Sequence, residues 1–380
     1  MKSINISRVL RLIWQKKGIS RIDIAKELNL DKSTITNIIT NFIKIGVVQE
    51  MEEGSPGPQG GRRPIFLCIN KDYGCVAGIE IQPNYYKIVL INLEGDMLHT
   101  KTIKRNISSV NLIKVISSVI DNLKKKIKTD DYKLIGIGIG LSGMINPETG
   151  IIFQSIPLQI KKPFKVIESI PNKEELPILI ENDANCCAWA ELAFQKSLQL
   201  QNFIFVLIEI REEEVLKKQY GGIAVGLGIV INGKVYYGSN YASGEFRSVF
   251  AKPTDVSQFS LSKEQLLKIN EDEKIFIKFA KEFSLNLALL INTLNIDHVI
   301  ISSFNVKFKK DIIPILKENI KKNFPYPTEV DCIIKYSSLG DDTVAYGAAG
   351  MLLQRLFAIP EIPMDNQEIN TRNIKLFFKL

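Results

Sequence analysis

Polar side chains within the first 45 residues have the types that contact DNA. They are short hydrogen-bonding groups and one cation, and they share the polar face of a helix predicted over 32–45. A helix in the major groove needs such groups to reach base edges and phosphates. The alternative is a small helical bundle whose polar face only meets water. The candidate DNA contacts are Lys32, Ser33, Thr34, Thr36 and Asn37.

The elements around this helix follow the order of a winged helix-turn-helix. Apolar residues at helical spacing predict a first helix over 5–17, which Gly18 ends. Ser20 is expected to cap a second helix, with Asp23 three residues further on. Segments 47–50 and 65–69 then predict two strands of a hairpin, which forms the wing.

The loop of this hairpin, GSPGPQGGRRP, carries Arg62 and Arg63 at its far end. Paired arginines on a wing suit a narrow, negative minor groove, although they could also be charges of a linker. Residues 1–63 contain eleven Lys and Arg against six Asp and Glu, a net charge of +5, whereas the rest of the chain carries only +3 of the total +8. A phosphate-binding surface is therefore expected in the first segment.

Length and composition restrict the class of protein. A chain of 380 residues predicts two or three domains, and 45% hydrophobic with 24% charged residues is ordinary globular usage. No apolar run reaches the ~18 residues of a membrane span, and the N-terminus lacks an apolar signal segment, so a cytoplasmic protein without membrane partners is expected. Five cysteines without a C-x-x-C pair and only two histidines argue against disulfides and metal sites. We expect no metal and no cofactor.

From Gly74 onward, short apolar strands alternate with amphipathic helices. Segments 76–81 and 87–92 predict a hairpin-like pair, and 134–141 a buried strand. A long helical stretch over 261–294 is expected to be interrupted near Ser284. This alternation predicts an α/β core, here in two lobes with a ligand-binding cleft between them.

The sequence resembles the ROK family (repressor, open reading frame, sugar kinase), especially its repressors of xylose operons, over roughly 5–356. The resemblance rests on SRIDIAKELNLDKSTITNIITNFIKIGVVQE, GGRRPIFLCIN, GIGIGLSGMINPETG, IENDANCCAWAE, GLGIVINGKVYYG and LGDDTVAYGAAG. It implies a winged helix joined to a two-lobed sugar-kinase-like domain of the actin/hexokinase ATPase fold. We expect a DNA-binding domain at 1–70, the two-lobed domain at 71–357 and a C-terminal tail at 358–380.

The resemblance also implies a sugar site. In the family's kinases the Asn-Asp pair that falls here on Asn182 and Asp183 binds sugar hydroxyls, and the Asp is the general base. A carboxylate plus an amide can bind vicinal hydroxyls through charge-assisted hydrogen bonds. Further sugar contacts would fall on Gly143 and Glu245. The alternative is that Asp183 only caps the helix that follows it.

The sequence differs from the family pattern at the residues that bind zinc and sugar in the family. The family pattern Gly-Glu-x-Gly-His is followed by a Cys-rich zinc loop, but here Ser248 stands at the histidine position. No cysteine occurs between Cys187 and Cys332. No structural zinc is therefore expected, and a pentose, a modified sugar or no small ligand at all remain open.

The sequence also differs from the family pattern on the phosphate side of the cleft. An ATP-using member needs an Asp-x-Gly-Gly-Thr turn after the first strand, where backbone N–H groups approach phosphate. Here 80–84 reads EIQPN, in which Pro83 has no N–H and Gln82 carries a side chain. Ser302 and Ser303 stand where the adenosine-side glycines would be. We predict no kinase activity.

Three functions are compatible with these residues. The first is a repressor that binds a palindromic duplex operator as a homodimer, or a higher homo-oligomer, and releases it when the lobes bind a sugar. The second is a ROK-type sugar kinase with an appended DNA-binding domain. The third is a regulator without a ligand, in which the lobes serve only dimerisation.

Overall fold

The computed structural model describes residues 2–53, 64–129, 132–171, 176–194, 200–211, 222–255, 257–302, 309–328 and 330–358. Within these ranges, none of the helices combines the length and the apolar character needed to span a bilayer.

The N-terminal unit has three helices and a three-stranded sheet. The helices are α1 (Lys2–Gln15), α2 (Arg21–Leu28) and α3 (Lys32–Lys44), and the strands are β1 (Ile19–Ser20), β2 (Val48–Glu53) and β3 (Ile65–Ile69), in the order β1-β3-β2. The Ser20 hydroxyl accepts from the Asp23 backbone N–H, which confirms the predicted cap of α2. The predicted helices and wing strands are confirmed, whereas the short strand β1 was not predicted.

The first lobe of the larger domain contains a five-stranded sheet. Its strands are β4 (Cys75–Ile81), β5 (Tyr85–Asn92), β6 (Met97–Lys104), β7 (Leu134–Leu141) and β11 (Ile178–Asn182), in the order β11-β7-β4-β5-β6. Helix α4 (Leu112–Thr129) packs its apolar stripe on this sheet. A small sheet of β8 (Met144–Asn146), β9 (Ile151–Gln154) and β10 (Phe164–Lys165) is followed by the short helix α5 (Val166–Ser169).

The second lobe contains another five-stranded sheet, in the order β14-β13-β12-β15-β16. Its strands are β12 (Phe203–Ile210), β13 (Ile223–Ile231), β14 (Lys234–Val235), β15 (His298–Ile301) and β16 (Ile333–Tyr336). Its helices are α7 (Lys263–Leu267), α8 (Glu273–Leu294) and α9 (Ile312–Lys322). Alternating strands and helices in two lobes confirm the predicted α/β class.

The predicted interruption near Ser284 is wrong, because α8 runs unbroken through that residue. The break lies earlier, before Asp272, whose side chain caps α8 by accepting from the N–H groups of Lys274 and Ile275. Ser284 is fully buried inside the helix. A serine signals a helix end only where its hydroxyl competes for backbone groups, which packing prevents here.

Two central helices join the lobes. Helix α6 (Asp183–Phe194) begins at the end of β11, and α10 (Thr343–Leu356) packs against it and against the sheet of the first lobe. A Cβ on Gly78 or Gly138 would lie 1.8 Å or 2.0 Å from a backbone oxygen of α10. These glycines therefore let α10 lie directly on β4 and β7.

Candidate functional site

The predicted DNA contacts of α3 lie on one surface. Lys32, Ser33, Thr36 and Asn37 are exposed and Thr34 is half-buried. The opposite face of α3 is buried in the core through Ile35, Ile39 and Phe42. The Thr36 hydroxyl donates to the carbonyl of Lys32 at 2.8 Å, so its oxygen remains able to accept. Arg62 and Arg63, predicted for the wing, lie outside the described residues.

A cavity of about 340 Å³ lies between the two lobes. It brings together all four residues that the resemblance predicted as sugar contacts: Gly143, Asn182, Asp183 and Glu245. Residues that the sequence did not single out also line it, among them Ser142, Gln154, Glu209, Arg211, Arg247 and Gln258. These come from both lobes, and no short motif connects them.

Asn182 holds the N-terminus of α6 in place. Its Oδ1 accepts from the backbone N–H of Asn185 at 3.0 Å, and its Nδ2 donates to the carbonyl of Gly143 at 3.1 Å. Asn182 therefore supplies the cap of α6, a role that the sequence analysis had offered to Asp183. Gly143 has φ of +124°, and a Cβ there would lie 2.3 Å from the carbonyl oxygen of Gln154. This close approach requires glycine.

Asp183 is the buried acid of the cavity, with 5% of its surface exposed. Its Oδ1 accepts from the N–H of Ala184 at 2.8 Å. Burial, and then the nearby charge of Glu209, raise the pKa of the Asp183 carboxyl well above its ordinary value of 3.8. An acid in such a place gains from a ligand that donates hydrogen bonds to it, because those bonds replace lost water.

Glu181 supports this arrangement and was missed by the sequence reasoning. It is fully buried at the end of β11. Its carboxyl accepts from the Asn182 N–H, Asn185 Nδ2, Trp189 Nε1 and the Tyr237 hydroxyl. Burial raises its pKa, which these bonds counteract. Tyr237 is distant in sequence, so only the fold reveals the network.

The segment that carries Glu245 is tied to the second lobe. Gly244 has φ of +87°, and its carbonyl accepts from the N–H of Leu227 at 3.1 Å. Glu245 forms an isolated bridge with Gly226, next to the cavity. Desolvation raises the pKa of the Glu245 carboxyl. Its position suits a second hydrogen-bond acceptor for a ligand.

Side chains hold the loop after Glu245. Ser248, at the position of the family's histidine, is buried and its hydroxyl accepts from Asn286 Nδ2 at 3.1 Å. Arg247 donates to the carbonyls of Lys252 and Asp255 at 2.7 Å and 2.9 Å. In the part of the chain that the structure describes, no cluster of three or more His, Cys, Asp or Glu has the arrangement of a metal site.

At the end of β4, where the sequence predicts that a phosphate-binding turn is missing, side chains contact one another. Gln82 Nε2 donates to Glu209 Oε1 at 2.7 Å, which links the ends of β4 and β12 across the lobes. The Tyr85 hydroxyl donates to Glu80 at 2.6 Å. Glu80 is fully buried, and burial raises its pKa. Hydrogen-bonded side chains, among them the acids Glu80 and Glu209, therefore lie at this end of the cleft.

Comparisons with known proteins agree with the division into an N-terminal helical unit and a two-lobed domain. Residues 76–256 match the model of the ROK family, and residues 4–52 match that of the MarR family. A xylose repressor from Caldicellulosiruptor bescii is 26% identical over 95% of this chain and 98% of its own length. A xylose repressor from Staphylococcus xylosus is 32% identical over 63% of this chain, and the alignment covers 59% of that relative. The N-acetylglucosamine repressor of Escherichia coli O6:H1 is 25% identical over 67% of this chain and 59% of its own length.

Solved structures show the same architecture. A ROK family transcriptional regulator, described as a homolog of the E. coli MLC protein, matches 100% of this chain with a TM-score of 0.77 and 20% identity, over 99% of its own length. A ROK family glucokinase from Streptomyces griseus, solved with glucose and AMPPNP, matches 73% with a TM-score of 0.55 and 14% identity, over 99% of its own length. The regulator match includes the winged helix, whereas the kinase match covers a smaller part of the chain. The chain therefore combines a region that matches the ROK family with an N-terminal region that matches the MarR family.

Proposed function

We propose that this protein is a DNA-binding transcriptional repressor whose ROK domain senses a sugar. The observation that carries the proposal is one chain holding both an exposed polar recognition helix and a sugar-sized cavity lined by Asn182 and Asp183. Repressors named for xylose and N-acetylglucosamine are among its relatives. Such a protein works where its DNA is, so we place it in the cytoplasm.

We divide the chain functionally into a DNA-binding domain at 1–70, a sugar-sensing domain at 71–357 and a tail at 358–380. The wing strand β3 ends at Ile69, and β4 of the larger sheet begins at Cys75. Paired recognition helices ~34–36 Å apart would match one turn of DNA, so we propose a homodimer on a palindromic operator. Lys32, Ser33, Thr34, Thr36 and Asn37 would contact the major groove, and Arg62 and Arg63 the minor groove.

The cavity supports a neutral, hydroxyl-rich ligand. Its volume of about 340 Å³ is at the small end of the range for ligand sites, as expected for one sugar ring. Asp183 and Glu245 offer acceptors to hydroxyl groups, and the Asn182 amide has a second N–H beyond the one it donates to Gly143. Gly143 lines the same cavity. We take D-xylose as the first candidate, because several relatives are named xylose repressor.

We further propose that the domain does not transfer phosphate. Nucleotide phosphates would meet the carboxyls of Glu80 and Glu209 and the Gln82 side chain where a kinase presents backbone N–H groups. Pro83 has no N–H to offer. The same end of the cleft also holds Lys87, whose ammonium is 3.2 Å from Asp342 and donates to the carbonyl of Asp341, so this cation already has partners.

Three measurements on the purified full chain test the proposal. Calorimetry with D-xylose, D-glucose and N-acetylglucosamine should identify a sugar that binds, and incubation of each with ATP should give no phosphorylated product. Selection from a pool of random duplexes should yield a DNA sequence that the chain retains at low salt. ATP-dependent phosphorylation of a sugar would instead support the kinase function, and DNA binding without any sugar binding would support a regulator without a ligand.

A further inference from the structure

Trp14 joins the DNA-binding domain to the ROK domain. It lies on α1 with 7% of its surface exposed, and its indole N–H donates to the carbonyl of Leu93 at 3.1 Å. Its ring stacks on Phe357, with centroids 4.7 Å apart and planes 14° from parallel. One residue of the winged helix is thus held by two separate parts of the ROK domain.

The first of these parts is the turn between β5 and β6, which carries Leu93. This turn rests on Phe194, the last residue of α6, because a Cβ on Gly95 would lie only 2.5 Å from the Phe194 ring. The Tyr346 hydroxyl donates to the carbonyl of Gly95 at 2.7 Å, and its ring lies 4.2 Å from that of Phe194. A shift of Phe194 would therefore displace the carbonyl that holds Trp14.

Helix α6 connects this turn to the cavity. Its N-terminal end is Asp183, in the cavity wall, and its C-terminal end is Phe194. Twelve helical residues span about 18 Å, and a helix of this length moves as a stiff rod. A ligand that changes the position of Asp183 would therefore move Phe194 as well.

The second part is α10, which is locked to α6. A Cβ on Gly347 would lie 1.8 Å from the carbonyl oxygen of Cys186, so the two helix backbones are in close contact. Gly350 likewise lies against Phe194. Phe357 follows directly after α10 and stacks on Trp14. The two helices therefore form one body. It contacts Trp14 directly through Phe357, and it supports the turn whose Leu93 carbonyl accepts from Trp14.

We propose that Trp14 is the positioning residue through which the sugar cavity controls the winged helix. Movement of the α6–α10 pair would displace the Leu93 carbonyl and the Phe357 ring together. Because both contact Trp14, this displacement would reorient α1 and the recognition helix. The inference rests on the proposed function and adds the route of its regulation. The nearby Lys17–Glu94 ion pair is 63% and 25% exposed, so it contributes little to this contact.

A double-mutant cycle on DNA affinity tests the route without any sugar. The four full-length proteins are wild type, Trp14→Phe, Phe194→Leu and the double variant, titrated into the selected duplex after circular dichroism has shown that they fold. We expect each single substitution to change affinity by about threefold or more and the double variant to match the stronger single one. Two effects that multiply, or single substitutions without effect, would overturn the proposal. Phe279→Leu, in the buried core of the second lobe, is the matched control for loss of packing.

A fluorescence measurement tests the response to sugar. The chain has two tryptophans, so Trp189→Phe leaves Trp14 as the only indole. Saturating D-xylose, with binding followed by calorimetry, should shift the emission of Trp14, and Phe194→Leu in that background should abolish the shift while binding persists. An unchanged emission in the Trp189→Phe protein with xylose bound would overturn the proposal.

The outcomes separate this inference from the proposed function. If the chain binds both the duplex and D-xylose, but the two substitutions have multiplicative effects on DNA affinity and the emission of Trp14 does not shift, only the proposed route through Trp14 is overturned. A chain with a non-additive cycle that binds no sugar keeps Trp14 as the residue that positions the winged helix, but loses sugar sensing. A chain that binds no duplex loses both.

Discussion

The two candidate binding regions of this protein are built in opposite ways. The recognition face of α3 consists of neighbours in sequence, is exposed, and belongs to a segment with a net charge of +5. The cavity draws its lining from residues more than a hundred positions apart, and its central acid, Asp183, is buried. We propose that the first binds a polyanion and that the second, a cavity with three carboxyls and two arginines in its lining, binds a neutral molecule.

This difference implies two separate physical signatures. Binding at an exposed basic face releases counterions, so it should weaken steeply with salt. Binding to a buried acid of raised pKa is linked to its proton, so it should depend on pH and little on salt. A hydroxyl that donates to Asp183 favours the ionised carboxyl, so sugar affinity should rise with pH through the raised pKa. The predictions below separate the two regions by these signatures.

The largest effect is expected from Asp183→Ala. Loss of a charged acceptor should lower sugar affinity by about 10- to 100-fold, so D-xylose at the concentration that saturates wild type should no longer release DNA. The variant should still bind the operator duplex. Calorimetry and a gel-shift titration measure the two properties, with the exposed Glu148→Ala as control. DNA release by sugar in the Asp183 variant would show that this acid is not the ligand-binding group.

Arg62→Ala with Arg63→Ala tests the basic region. Removing two phosphate or minor-groove contacts should weaken operator binding by about tenfold or more and reduce the slope of log K against log salt by about 2. The adjacent exposed pair Lys161→Ala and Lys162→Ala, in the first lobe, is the matched control. Unchanged affinity and slope in the arginine variant would make Arg62 and Arg63 linker charges.

Asn37→Ala should affect sequence reading rather than general attraction. An amide can bond an adenine edge with two hydrogen bonds, so we expect about a fivefold or larger loss for the selected duplex. Affinity for an unrelated duplex, and the salt slope, should stay the same. An equal loss on both duplexes would place Asn37 on the phosphates instead.

The smallest effect is on stability and concerns Asp183→Asn. In the wild type the folded state holds a proton that the unfolded chain has lost, between the ordinary value of 3.8 and the raised pKa. Stability therefore falls as pH rises through that window, and the variant is spared this loss. Its melting temperature should exceed that of wild type by ~2 °C or more at neutral pH, and by almost nothing below the ordinary value. Thermal scans from acid to neutral pH measure the difference, and a gap that does not grow with pH would contradict the assignment.

The same contrast explains what could be predicted from the sequence. The winged helix follows from local signals, such as the Ser20 cap and the apolar spacing of α3, and these were confirmed. Strand β1 was missed because it pairs with Phe66 and Leu67, far along the chain. Ser284 misled because burial overrides its local preference.

In the cavity, the resemblance supplied Gly143, Asn182, Asp183 and Glu245, which the fold brings together. Local reasoning could not distinguish which of two neighbouring polar residues caps α6, because that depends on the turn that the chain makes there. Nor could it find the Gln82–Glu209 bond, whose partners are 127 positions apart. Such contacts exist only once two lobes have packed.

The most direct test of sugar-controlled DNA binding is an anisotropy titration of the selected duplex with and without saturating sugar, using D-xylose first. We predict that the sugar raises the dissociation constant by about tenfold or more, a typical size of coupling between two sites. Superimposable curves, measured while calorimetry shows the sugar bound, would contradict the account.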